Sequence, residues 1–158
     1  MIIMRVNERA MARKQLDKRL NMLQNVDILA RPPRGWIKAI REALGMTTAQ
    51  LAKRLGVSQP RILAIEKAES SGTIKLDTLE RAAQALDCRL VYALVPRKPL
   101  ESLVEDRART LAKKRHRAAS HSMALENQRV DKADEQEHLE RLVQKLLKQS
   151  GSGLWEEG

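Results

Sequence analysis

The stretch from Thr47 to Lys67 constrains this chain most. Two helix-forming segments, Thr48 to Leu55 and Gln59 to about Ala68, are separated only by Gly56-Val57-Ser58. Two helices joined by so few residues cross steeply and need a small side chain where they nearly touch, and Ala52 supplies it. The sharp turn needs a residue that tolerates positive φ, which Gly56 does at the least steric cost. Leu51, Leu55, Val57, Ile62 and Ile65 then fall on the inward surfaces of both segments. The helix starts agree: Thr47 with Gln50 three residues on forms a capping box, Ser58 is a good N-cap, and Pro60 is tolerated in a first turn.

The neighbouring sequence extends this block. Trp36 to Leu44 and Leu76 to Leu86 are predicted helices, separated from the central pair by short turns containing Gly or Ser. The period changes at Arg89-Leu90-Val91-Tyr92-Ala93-Leu94-Val95, which is rich in β-branched residues and is stopped by Pro96, so it predicts a strand. Upstream, Ala12, Leu16, Leu20 and Leu23 recur along one face of an amphipathic helix from Glu8 to Leu23. It is cut off from the rest by Arg31-Pro32-Pro33-Arg34-Gly35. Beyond Pro99, one helix places Leu100, Leu103, Val104, Ala108, Leu111 and Ala112 on a face, and a later one carries Leu139, Leu142, Val143, Leu146 and Leu147. Leu154-Trp155 forms a small anchor in an otherwise flexible tail.

Composition narrows the function. A net charge of +10 over 158 residues points to a polyanionic partner. Two Trp, one Tyr and no Phe supply few platforms for stacking unpaired bases, so duplex DNA is expected rather than single strands or RNA. The excess of Lys and Arg lies before Met123, and the stretch from Ala124 onward is net acidic. The lone Cys88 allows no internal disulfide and reads as a small core residue. No apolar run is long enough for a membrane span, and Met1-Ile2-Ile3-Met4 is too short for a signal-peptide core, so a cytoplasmic protein is expected. His116, His121 and His138 have no metal-ligand spacing with Cys88, and no phosphate-cradling Gly loop or nucleophile elbow is present. The chain is therefore expected to be no enzyme, with no metal and no cofactor.

On Gln50-Leu51-Ala52, Leu55-Gly56-Val57-Ser58, Ile65-Glu66 and the run Thr78 to Leu86, the sequence resembles the Xre-type, phage-repressor-like helix-turn-helix family. Three flanking motifs, Arg31 to Ile37, Val91 to Pro96 and His121 to Glu126, resemble more narrowly the mobile mystery protein A family. The broader resemblance implies that the second helix of the pair enters a major groove, with Ser58, Gln59, Arg61 and Ala64 facing the bases. Gln59 suits adenine, Arg61 guanine, and the Ala64 methyl thymine. Thr47 and Thr48, at the positively polarised start of the first helix, would hold a phosphate. The pattern departs at Pro60 and in a Glu66 to Thr78 connection about two residues longer than usual, which puts phosphate contacts at Ser70 and Ser71 in doubt. The narrower resemblance implies an operon regulator encoded beside a Fic-domain protein.

Weaker features complete the expectation. Leu90, Tyr92 and Leu94 on one face, and Val91, Ala93 and Val95 on the other, both want burial, which suits an antiparallel strand pair across the two-fold of a homodimer. Arg31 and Arg34 read either as an arm that contacts DNA or as linker. Lys113-Lys114-Arg115-His116-Arg117 reads either as a phosphate grip or as a solvated face. The expected fold is mainly α: a repressor-like helix-turn-helix domain with one short C-terminal strand and flanking N- and C-terminal helices. Residues 1–34 form the helix and linker, 35–96 the DNA-binding domain with a dimerising strand at 89–95, 97–149 a helical pair and 150–158 a tail. The expected function is a transcriptional repressor of its own operon, binding a near-palindromic operator through reading helices roughly 34 Å apart. The alternative is an antitoxin-like protein that neutralises a Fic-domain partner through its C-terminal helices.

Overall fold

The computed structural model describes residues 5–124, 131–149 and 151–156. Met1 to Met4, the Leu125-Glu126 end of the His121 motif and Ser150 of the tail lie outside the described residues. Seven α-helices occur among the described residues: α1 (Val6–Leu20), α2 (Trp36–Ala43), α3 (Thr48–Leu55), α4 (Gln59–Ser71), α5 (Leu76–Ala85), α6 (Leu100–Ala124) and α7 (Lys132–Gln149). The chain divides into two compact units. One runs from Asn25 to Leu94, and the other combines the segment ending at Gln24 with everything from Val95 onward. The N-terminal helix α1 thus groups with the C-terminal pair rather than standing apart with the RPPR linker.

In the Asn25–Leu94 unit, α2 to α5 enclose a core of Ile37, Leu51, Ala52, Ile62, Ile65, Ala82 and Leu86. Cys88 packs at its edge. The inner face of α4 is unusual because its stripe continues from Ile62 and Ile65 into Glu66 and Glu69, both buried. Each carboxylate serves α2. Glu66 Oε1 accepts from Arg41 Nε at 2.6 Å and Oε2 from Arg41 Nη2 at 3.3 Å, while Arg41 Nη1 donates to the Met46 carbonyl. The hydrogen bond to Glu66 raises the Arg41 pKa above its ordinary value against the opposing effect of burial, and the charges of Glu66 and Glu42 add to the rise. Glu69 instead caps the start of α2, accepting from the Trp36 and Ile37 N–H groups at 2.7 and 2.9 Å. A carboxylate there meets both the unpaired donors and the positive end of the helix dipole. Gly35 makes this approach possible: its φ is +88°, and a Cβ would stand 2.7 Å from Glu69 Oε2.

No strand forms among the described residues, so the strand expected at 89–95 is corrected. Asp87, at φ +58°, ends the α5 turn, and residues 89–94 continue without regular structure. Alternating apolar residues supply extended preference, but a strand also needs a neighbour to complete its ladder. The chain offers none here, and Val91, Tyr92 and Leu94 are 72%, 72% and 89% exposed.

In the second unit, the fully buried Ala108 and Ala112 of α6 let it approach α7, whose Val143 and Leu146 join them in a core completed by Leu154. Trp155, paired with Leu154 in the expected anchor, is 56% exposed. Helix α1 contributes no buried residue and attaches through charge. Asp17 accepts from the Leu100 and Glu101 N–H groups at the start of α6, and Arg13 pairs with the Glu101 side chain at 2.8 Å.

Removing one partner of a buried ion pair leaves the other charge desolvated and unmatched. Arg41→Met is therefore expected to cost about 3 to 5 kcal/mol in urea unfolding, and Arg41→Met with Glu66→Leu much less. A single variant no less stable than the double would show that the pair is not buried in solution.

Candidate nucleic-acid interface

The surface of the α3–α4 pair is built by local sequence. Gly56 takes the left-handed conformation at φ +70°, and Val57 N–H donates to Ala52 O, closing α3 and turning the chain into α4. Thr47 caps α3: its Oγ1 accepts from Gln50 N–H at 3.1 Å, while Gln50 Oε1 accepts from Thr47 N–H at 2.8 Å. With Gln50 N–H so engaged and Leu51 N–H bonded to Thr47 O, the Thr48 and Ala49 N–H groups stand at the positive end of α3, the kind of place that favours an anion.

Ser58 holds the N-cap position of α4 but makes no side-chain cap bond, so its hydroxyl stays available. Ser58, Gln59, Arg61 and Ala64 are all exposed, opposite the buried Ile62, Ile65, Glu66 and Glu69. Gln59 Nε2 donates to Thr48 Oγ1 at 2.9 Å. That bond ties the first residue of α4 to the first of α3, and it leaves the second amide hydrogen and Oε1 of Gln59 for an outside partner. The Thr48 hydroxyl accepts in this pair, so its own proton remains free to donate. The position expected to contact phosphate and one expected to read bases are thereby joined by one hydrogen bond.

Arg31 and Arg34 are exposed, but the Arg31 guanidinium donates to Glu69 O at the C-terminal end of α4. Arg31 thus fastens the Pro-Pro segment to the helical unit. Ser70 and Ser71 turn their hydroxyls onto the Lys67 and Ala68 carbonyls, and Arg54 donates to Ala85 O. Sequence reasoning missed the roles of Arg41, Glu66 and Glu69, which hold α4 from behind. Glu66 and Glu69 do fall at helical spacing with Ile62 and Ile65, which is the one signal that could have marked them as inward.

Residues 37–92 match the family described as Helix-turn-helix, which covers α2 to α5 and the segment after them. The helix-turn-helix part of the resemblance is thus shown for this domain. The chain is also 44% identical over 56 residues to Antitoxin HigA1 of Mycobacterium tuberculosis, strains CDC 1551 / Oshkosh and H37Rv, covering 35% of this chain. It spans about a third of the length of these curated relatives, 36%. No solved structure matches the chain. No helix among the described residues is long and apolar enough to cross a membrane.

Proposed function

We propose that this chain is a sequence-specific double-stranded DNA-binding transcriptional regulator, without enzymatic activity, that represses its own operon as a homodimer on a near-palindromic operator. The observation that carries this reading is the exposed row Ser58, Gln59, Arg61 and Ala64 on a helix whose opposite face is fixed by a packed core and two buried carboxylates. A helix clamped from behind enters a groove with little ordering to do on contact, so its binding energy goes into discrimination. In this reading Gln59 bonds adenine in two places, Arg61 bonds guanine, and Thr47 and Thr48 anchor a phosphate at the start of α3. Arg61→Ala is expected to cost about 1 to 3 kcal/mol on a selected operator and little on random duplex, read by binding titration against both. Equal losses would reassign Arg61 to the phosphates.

The dimer rests on residues 90–95. Val91, Tyr92 and Leu94 are more exposed than most of the apolar residues nearby, and Leu90 and Val95 are half-buried, so the segment has apolar area that pairing would cover. An antiparallel pair of these segments would supply each with its missing ladder. Sedimentation is expected to give the mass of two chains, and Val91→Lys with Tyr92→Lys to give one chain and weaker operator binding. A wild-type monomer at micromolar concentration overturns the dimer.

The similarity to a protein named as an antitoxin supports a second, compatible reading as an antitoxin; in that reading the α6–α7 pair would capture the partner, such as a Fic-domain product encoded nearby. This narrower role goes with membership of the mobile mystery protein A family. Co-purification with the neighbouring gene's product, by the whole chain and by a form ending before Pro99, tests it. Capture that survives truncation removes these helices from the role.

A further inference from the structure

The helix-turn-helix uses none of the cations in the second half of α6. Arg107, Leu111, Lys114, Arg115 and Ala118 recur at helical spacing on one face of that helix, and with Thr110 they line an open groove of about 660 Å³. Its far wall is the C-terminal turn at Gly153 and Glu156. Arg107 fixes that wall by donating to the Leu154 and Glu156 carbonyls. Lys114 and Arg115 are exposed at the groove. Helix α7, whose charges balance, lies on another flank of α6, marked by Ala108 and Ala112 in the shared core, the Arg109–Glu140 ion pair at 3.1 Å and the His116–His138 ring contact. Glu156 is the single carboxylate among the residues described for the groove, and its carbonyl is already held by Arg107.

We infer that this face of α6 is a second contact surface for the phosphates of duplex DNA, outside the footprint of the helix-turn-helix. The inference rests on the DNA-binding reading above. A guanidinium and an ammonium on an open groove, with no aromatic ring among the lining residues, suit a phosphate chain and offer nothing that stacks bases. The surface therefore adds affinity without sequence preference. Because it is carried on the same chain as the reading helix, engagement of the operator raises the local concentration of flanking phosphates around it.

The test uses the full-length protein on a long duplex carrying the selected operator, on a random duplex of equal length, and on a duplex trimmed to the operator. Affinity is measured across a salt series. Lys114→Gln with Arg115→Gln is expected to make the slope of log affinity against log salt shallower by about 1 to 2, at roughly 0.9 for each phosphate that is no longer neutralised. Affinity should fall by the same factor on both long duplexes and be unchanged on the trimmed one. Lys132→Gln with Lys145→Gln, which removes equal charge from α7, is expected to leave the slope as it was. An unchanged slope in the α6 variant, or an equal change in both variants, overturns the second surface while leaving the regulator intact. A wild-type protein that prefers no duplex removes both. All four side chains are exposed, so unchanged thermal unfolding verifies that the variants fold.

Discussion

Helix α4 faces two ways, and its inner side depends on two carboxylates. An ordinary amphipathic helix is held by apolar contact alone, which tolerates small rotations and slides. Here Glu66 grips the guanidinium of Arg41 and Glu69 takes two backbone donors at the start of α2, so α4 is fixed in rotation and along its axis by directional bonds. A buried ion pair adds little net stability over an apolar replacement, because desolvation offsets most of the attraction. Its contribution is to geometry: rotating α4 would leave charges without partners. The exposed row from Ser58 to Ala64 inherits that fixed orientation.

Most of the domain was legible because its signals are local. The Thr47 and Gln50 capping box, the positive φ at Gly56 and the small Ala52 at the crossing each involve residues a few positions apart, and each is present in the structure. What escaped the sequence was distant. Glu66 pairs with a residue 25 positions away and Glu69 with backbone donors 32 and 33 positions away, and a glutamate in a helix reads as solvated until its partner is known. The segment at 89–95 differs from its expected strand for a related reason: alternation is a property of the segment, whereas a strand is a property of a pair. The grouping of α1 with α6 depends on Asp17 meeting the Leu100 and Glu101 N–H groups, and nothing near either residue announces the contact.

The two units share one solution to the same problem. Neither α2 nor α6 begins with a side chain of its own that caps it: α2 starts after Gly35 and α6 after Pro99. In each case a carboxylate from another helix, Glu69 or Asp17, accepts from the first N–H groups. The start of each helix is thereby fixed only when the tertiary contact forms. Local helix formation and packing are coupled, which favours cooperative folding within each unit.

The order in which the chain visits these units has its own consequence. It leaves one at Gln24, completes the helix-turn-helix, and returns at Val95. The helix-turn-helix unit is thus an insert whose two ends join the same host. Such an arrangement lets a module be exchanged as a cassette: recombination at the two crossings would carry Arg31, Gly35, Arg41, Glu66 and Glu69 together as an intact clamp. The exposed surface of that unit could then change while the helical host keeps its Asp17 attachment and its own core.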